Sequence, residues 1–337
     1  MEWYHPDDRP LPWKAKADIY SIWLSEIMLQ QTRADQVVPY FERFVGQFPD
    51  LKSLAEAPEE EVMRYWQGLG YYHRAKNLHR AAKVIQFEKD GVFPRCYDDW
   101  LDLPGVGPYT AAAITSFALG LPHAVLDGNV FRLLARFFEI YLPTDNSRGR
   151  KEFEKLANEL IDREHPAKFN QAIMDFGATV CKPTNPLCDH CPLNDQCGAY
   201  LSGSVAQLPL KKKKTAKKKW AITYLHITNG EQTLIHRRPT EGIWPGLYEF
   251  PRLPDREDLK THLNDHFKLK IFSAHEPVQI KHQLTHRAVT ANFYRVEVPD
   301  FTELKKDQLT LVNYENFPKF AFHRLMKKYF HIFTDNR

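Results

Sequence analysis

Three groups of residues in this 337-residue sequence have types and spacings that could do chemistry. Cys181, Cys188, Cys191 and Cys197 fall within seventeen residues at x6, x2 and x5 spacing. Four thiolates in such a run can hold a zinc ion or a 4Fe-4S cluster. His190, between two of them, reads as a bystander, and the remaining cysteine, Cys96, as a buried, inert thiol. The second group is the stretch Leu103-Pro104-Gly105-Val106-Gly107-Pro108-Tyr109-Thr110-Ala111. Its two glycines lack a Cβ, so a turn there can take φ > 0 and bring backbone N–H groups close to a partner. Those groups lie at the start of a helix, where the dipole favours an anion such as phosphate; a tight helix–helix connection is the plainer alternative. The third is Asp127-Gly128-Asn129, eighteen residues beyond Tyr109. An aspartate just ahead of a helix reads on its own as an N-cap.

The elements that must hold these groups are mostly helical. An amphipathic run from Tyr97 to Leu101, the two-glycine turn and the run Tyr109 to Leu119 give helix, hairpin, helix. Val130, Leu133, Leu134 and Phe137 share one face of the helix that follows Asp127. Ile19, Ile22, Trp23, Ile27 and Met28 recur at three and four, predicting a helix from Asp18 to about Thr32. Glu26 lies beside that stripe, and on pattern alone a carboxylate there is exposed. The proline-rich residues 1–14 predict an extended arm. Pro58-Glu59-Glu60-Glu61 is a helix start. Trp66 to Ala75 combines glycines, aromatics and a base, as a loop packing aromatics would. Arg74, Lys76, His79, Arg80 and Lys83 then read as a solvated basic face.

The chain is long enough for two or more domains. No apolar run reaches membrane-spanning length and no secretory leader opens the sequence, which points to the cytoplasm. The odd cysteine count argues against a disulfide framework. The net charge of +4 rests on seven lysines between Lys211 and Lys219; without them 39 basic residues face 42 acidic ones. Any nucleic-acid footprint must therefore be local. The lysine run is low in complexity and self-repelling, hence a linker or arm. Beyond it the texture becomes strand-like: Ala221 to Ile227, then Leu234 to Arg238 after the Asn229-Gly230 turn, then Phe293 to Val298, with a helix over Leu259 to Phe267.

The hairpin stretch, the run Val125 to Arg132 (VLDGNVxR) and the spaced cysteines together resemble the helix-hairpin-helix DNA glycosylase superfamily. Within it, Ser25-Glu26-Ile27-Met28-Leu29-Gln30-Gln31-Thr32 is similar to the SExMLQQT signature of the adenine DNA glycosylases, the MutY type. The resemblance covers nearly the whole chain. It implies a mainly α glycosylase domain over 1–200 with a 4Fe-4S loop on the four cysteines, a lysine-rich linker over 201–219, and a C-terminal α/β Nudix-like domain over 220–337. It also implies removal of adenine mispaired with 8-oxoguanine or guanine in double-stranded DNA. Glu26 becomes the acid that protonates the departing adenine, held protonated by a desolvated pocket. Asp127 becomes the ionised carboxylate that stabilises the oxocarbenium-like sugar. Asn129 orients Asp127 or a water. Tyr109 stands where bifunctional relatives carry a lysine; without an amine no Schiff base forms, so a monofunctional enzyme that leaves an abasic site is expected. Gln31, Thr32, Leu69, Gly70 and Tyr71 become groups that wedge into or hold the duplex, and Gly105, Val106 and Gly107 a phosphate-binding hairpin. A monomer, in a bacterium associated with the nucleoid, is expected.

In the C-terminal part, Gly242 to Pro251 resembles the corresponding stretch of MutT-like domains. The glutamate-rich REx2EE helix that would hold magnesium is missing after Pro251, so no pyrophosphate hydrolysis is expected. His282-Gln283-Leu284-Thr285-His286 resembles the FSH-type recognition loop of the MutY C-terminal domain. Leu284 and Thr285 replace phenylalanine and serine, while His286 stands. Lys14 stands where the family's arm has arginine, which puts a bidentate contact there in doubt.

Overall fold

The computed structural model describes residues 3–16, 18–211, 217–239, 241–254, 257–267, 269, 273–284, 286–302, 304 and 309–335. Thr285 and residues 212–216 of the lysine run lie outside the described residues. Contacts group the chain into two units, one of Met1–Ala57 with Asn77–Lys214, the other of Pro58–Lys76 with Thr215–Arg337. No helix among the described residues is long and apolar enough to cross a membrane.

The helices run α1 (Pro12–Lys16), α2 (Ile19–Leu29), α3 (Ala34–Gln47), α4 (Leu51–Glu56), α5 (Glu59–Trp66), α6 (His73–Lys83), α7 (Tyr97–Leu101), α8 (Pro108–Leu119), α9 (Gly128–Phe137), α10 (Ser147–Leu160), α11 (Pro166–Thr179) and α12 (Gly198–Leu201). Two of them form the centre of the first unit. In α2 every residue from Tyr20 to Met28 is buried, polar ones included, and in α8 the same holds from Thr110 to Ser116. A helix buried on all sides is a core element. Asp18 starts α2 by accepting the Ser21 N–H at 2.9 Å. Proline at the first position starts α8. Around them Val130, Leu134 and Ala135 of α9 pack on Phe153 and Ala157 of α10.

The fold departs from the sequence expectation in three places. Residues 1–14 are not simply extended: Pro6–Asp8 forms a 3-10 turn and Pro12 opens α1, because proline is well tolerated in a first helical turn. Cys96 is exposed rather than buried. Arg74 and His79 are 2% and 3% exposed, so the basic face of α6 is only partly solvated.

In the second unit β1 (Lys218–Thr228) and β2 (Gln232–Arg237) form an antiparallel hairpin, followed by β3 (Tyr248–Glu249) and β4 (Arg252–Leu253). After α13 (Leu259–His262) and a π turn over Leu263–Phe267 come β5 (Ser273–Ala274), β6 (Val278–Gln283), β7 (Arg287–Glu297) and β8 (Thr310–Asn313), then α14 (Arg324–Asp335). The path β3-β2-β1-β7-β5 carries β4, β6 and β8 as side pairings. β1 and β7 are parallel in register from Lys218↔Arg287 to Thr228↔Glu297. Leu225, Ile227, Val296 and Leu234 pack against Leu263 and Phe267, the helix-on-sheet layering expected of an α/β domain.

Candidate active site

Glu26 is 3% exposed, and its Oε2 has no hydrogen-bond partner among the described residues. A buried carboxylate with an unpaired oxygen is stable only when it can take a proton. Burial accordingly pushes Glu26 up to about 7; a hydrogen bond from Tyr109 draws it back, and the negative charge of Asp127 adds to the rise. Tyr109 in turn is driven well above its ordinary value by burial and by the two carboxylates, so it stays a neutral donor.

Asp127 is the N-cap of α9, as its position before an apolar helix predicts. Its Oδ1 accepts the N–H groups of Asn129 and Val130, each at 2.8 Å. The Asn129 Nδ2 donates to the other oxygen at 2.7 Å. Burial raises the Asp127 pKa, while these donors and Arg132 pull it back. Asp127 thus faces three hydrogen-bond donors and a helix N-terminus, and Glu26 faces one phenol. Of the two, Asp127 loses its proton first. Glu26, Tyr109, Asp127, Asn129, Gln31 and Thr32 all line one cavity of about 1120 Å³, ample for an extruded nucleotide. Arg9, Lys14, Arg33 and Lys182 also line it. Arg9 and Lys14 meet Asp175 at 2.7 and 2.6 Å, which ties the N-terminal arm to α11.

The hairpin Gly105-Val106-Gly107 joins α7 to α8. Gly105 has φ 81°, and a Cβ built there would lie 2.7 Å from the Asn77 Cβ. Gly107 is extended, at φ −107°, and caps α8; a Cβ there would meet nothing within 4 Å, so its place is open to an approaching partner. Gln30, to which the sequence assigns no role, donates to the Gly105 carbonyl at 3.3 Å and to Thr110 Oγ1 at 3.2 Å. It links the end of α2 to the hairpin. The next residue, Gln31, has φ 56°, a conformation unusual for a side chain-bearing residue.

The four cysteines are half-buried and free of disulfides, and all four line one small pocket with Arg136. Among the described residues no three of their sulfurs come within 4.8 Å of one another. A single tetrahedral ion, about 2.3 Å from each sulfur, would bring them to about 3.8 Å apart. As placed, the sulfurs stand farther apart than one zinc ion would hold them. Two arginines of α9 hold this loop. Arg136 donates to Cys181 Sγ at 3.4 Å and to the Lys182 carbonyl at 2.7 Å. Arg132 donates to the Cys181 carbonyl at 2.7 Å and to Asn129 Oδ1 at 2.9 Å, and also to the Gly177 carbonyl. The cysteine loop and the side chain that orients Asp127 therefore share one guanidinium. Gly177 is where α11 meets this turn: a Cβ there would lie 2.7 Å from the Asn129 Cβ and 2.9 Å from its carbonyl oxygen.

The other sequence-predicted residues lie in the second unit and do not belong to this cavity. Leu69 is buried, Tyr71 is 37% exposed, and Gly70 and Tyr71 both have positive φ. Arg74 holds the turn, donating to the Gly70 carbonyl at 3.1 Å with its guanidinium over the Tyr71 ring. Leu284 and His286 lie in the β6–β7 turn, closed by the Leu284 N–H on the Arg287 carbonyl at 2.8 Å; Leu284 is half-buried and His286 exposed. Thr285 lies outside the described residues.

Residues 24–163 match the family described as HhH-GPD superfamily base excision DNA repair protein, and residues 223–331 match the NUDIX domain. The chain is 35% identical over 294 residues to the adenine DNA glycosylase of Buchnera aphidicola subsp. Baizongia pistaciae, covering 87% of this chain and 83% of that one. It is 31% identical over 401 residues to the adenine DNA glycosylase of Rattus norvegicus, covering 100% and 77%. Among solved structures, a thermostable thymine-DNA glycosylase superimposes with a TM-score of 0.53 at 31% identity, over 58% of this chain and 90% of that one. With a buried acid, a helix-capping aspartate and relatives that match it nearly end to end, the chain belongs to the adenine DNA glycosylases of the HhH-GPD superfamily.

Proposed function

We propose that this enzyme excises adenine standing opposite 8-oxoguanine, or opposite guanine, in duplex DNA and leaves an abasic site. The observation that carries the mechanism is the asymmetry of the two carboxyls. Glu26 is buried beside a phenol, with a pKa near 7; Asp127 accepts three hydrogen bonds. The target nucleotide leaves the stack, at a cost of a few kcal/mol, and enters the cavity. Glu26 gives its proton to N7 of adenine as the bond from C1′ to N9 breaks, and the electron pair of that bond leaves with the base. The cation on the sugar is stabilised by ionised Asp127, held in place by Asn129. Water then adds at C1′ and loses a proton. Tyr109 has no amine to attack the sugar, so the strand is not cut.

Cys181, Cys188, Cys191 and Cys197 would hold a 4Fe-4S cluster, a group large enough for the spread of the sulfurs. When bound it supplies a fixed anchor of four thiolates and no step of base release. Through Arg132 and Arg136 the loop braces α9 along its length. The Gly105 and Gly107 amides suit a phosphate, while Val106 closes the hairpin between them by donating its N–H to the Leu103 carbonyl at 3.1 Å. Gln31 and Thr32, with Leu69, Gly70 and Tyr71, act on the opened duplex. The C-terminal domain, whose sheet begins with β1 at Lys218, reads 8-oxoguanine through Leu284, Thr285 and His286. The protein acts as a cytoplasmic monomer on the nucleoid.

The test is release of free base from duplexes carrying A:8-oxoguanine, A:G, A:T and T:G. Adenine release from the first two is expected, without strand scission. Thymine release from T:G would overturn the substrate reading; the neighbour named as a thymine-DNA glycosylase aligns with 58% of the chain, whereas the adenine enzymes extend into the C-terminal domain.

A further inference from the structure

We propose that Glu257, His262 and His266 form a binding site for one divalent transition-metal ion of the zinc type, in the C-terminal domain. One ligand atom from each lies within 4.8 Å of the other two, the only such set among the described residues. The Glu257 Oε2 is 2.5 Å from His262 Nδ1 and 3.9 Å from His266 Nε2. In a tetrahedral site with bonds of about 2.0–2.1 Å, such atoms stand about 3.3–3.4 Å apart. Small rotations of two exposed side chains, Glu257 and His266, bring the set to that spacing.

The local fold explains why the three converge. Asp258 caps α13 by accepting the Thr261 N–H at 3.0 Å. Leu263 and Phe267 then anchor the following turn in the core, which fixes the opposite edge. His262 and His266, four residues apart, share that edge, with ring centroids 4.5 Å apart. Both line a pocket of about 620 Å³ with His236, Arg238, Glu249 and Arg252. Across it Glu249 binds Arg238 at 2.7 Å and Arg252 at 2.9 Å. One carboxylate offsets one of the two arginine charges, so Glu257 supplies the negative charge that lets a cation settle there. Two imidazoles and one carboxylate suit zinc, nickel or cobalt rather than magnesium, which takes oxygen ligands in octahedral geometry. Three protein ligands leave a position open to water.

The test uses tag-free, full-length protein with its iron content measured, titrated with Zn2+ against a chromogenic chelator. The wild type is expected to take up one more zinc per chain than His266→Ala, and Glu257→Gln is expected to bind it at least tenfold more weakly. Both side chains are exposed, so both variants should keep their far-UV spectrum and their rate of adenine release. Zinc should raise the thermal midpoint of the wild type and leave that of His266→Ala unchanged. Ni2+ or Co2+ should displace the zinc and Mg2+ should not. Equal uptake by wild type and His266→Ala, uptake by neither, or displacement by Mg2+ each overturns the proposal.

Discussion

Two glutamates of this chain are almost completely out of water, and they are held in opposite states. Glu26 in the helical unit has one phenol near it and an oxygen with no partner, and its pKa rises to about 7. Glu249 in the sheet unit is 0% exposed, yet it accepts from Arg238 at 2.7 Å, Arg252 at 2.9 Å and Tyr224 at 2.8 Å, with His323 at 3.3 Å. There the histidine and the two arginines outweigh burial and hold the carboxyl down at about 2. Burial alone therefore does not set a protonation state; the number and charge of the donors do. The first arrangement keeps a proton up to about neutral pH, and the second is a counter-ion that organises its neighbours.

The sharpest way to break the helical half of this contrast is to remove the charge that Glu26 works beside. Asp127→Asn is expected to slow adenine release on the order of 10³-fold while lesion-duplex binding stays nearly intact. A near-normal single-turnover rate would take Asp127 out of the mechanism. Glu26→Gln should cost about 10²–10⁴-fold. In the wild type the rate should fall as pH rises through about 7, where Glu26 loses its proton; in the variant that limb should vanish.

Stability separates the two residues by sign. Folded Glu26 holds a proton between its ordinary value of 4.5 and about 7 that the unfolded chain releases, so stability falls as pH rises through that window. The full effect is about 3 kcal/mol. Glu26→Gln should therefore unfold at higher denaturant than the wild type above pH 7, with the gap closing towards pH 4.5. For Glu249 the folded pKa of about 2 lies below 4.5. Its contribution is complete above pH 4.5 and is lost as pH falls towards 2. Glu249→Gln at neutral pH leaves two arginines short of their partner and should cost about 3–5 kcal/mol. Same-sign shifts for the two variants in urea melts at pH 8 would undo the comparison. The smallest effect expected is for Tyr109→Phe. Loss of its hydrogen bond should move the alkaline limb of the rate profile upward, because that bond lowers the Glu26 pKa; a downward movement would mean that the phenol acts otherwise.

How far the sequence reveals this site depends on the range of the interaction. Asp127 is legible because a cap is local: aspartate, two residues, then an apolar helix. The hairpin and the cysteine spacing are local patterns as well. The burial of Glu26 is not legible from periodicity, which identifies one apolar face of α2, whereas tertiary packing buries all of them. Glu26 reads as exposed on pattern alone, yet it, Ser21 and Ser25 are among the driest of the described residues. Arg132 and Arg136 do their work on carbonyls 45 or more residues away, and no spacing rule reaches so far. Arg74 reads as part of a solvated face, but it donates to the carbonyls of a turn whose shape the sequence alone does not give. The domain change after the lysine run is visible as texture. The parallel pairing of β1 with β7 is not, since it joins strands far apart in the chain.

Gly177 carries a consequence for how this enzyme can vary. It makes no hydrogen bond to Asp127 and belongs to a helix that supplies neither acid, yet a single methyl group there would press on Asn129 from behind. Alanine at this position would tilt the first turn of α9 and displace the aspartate that caps it. A substitution that looks harmless on paper could thus silence repair while leaving both acids in the gene.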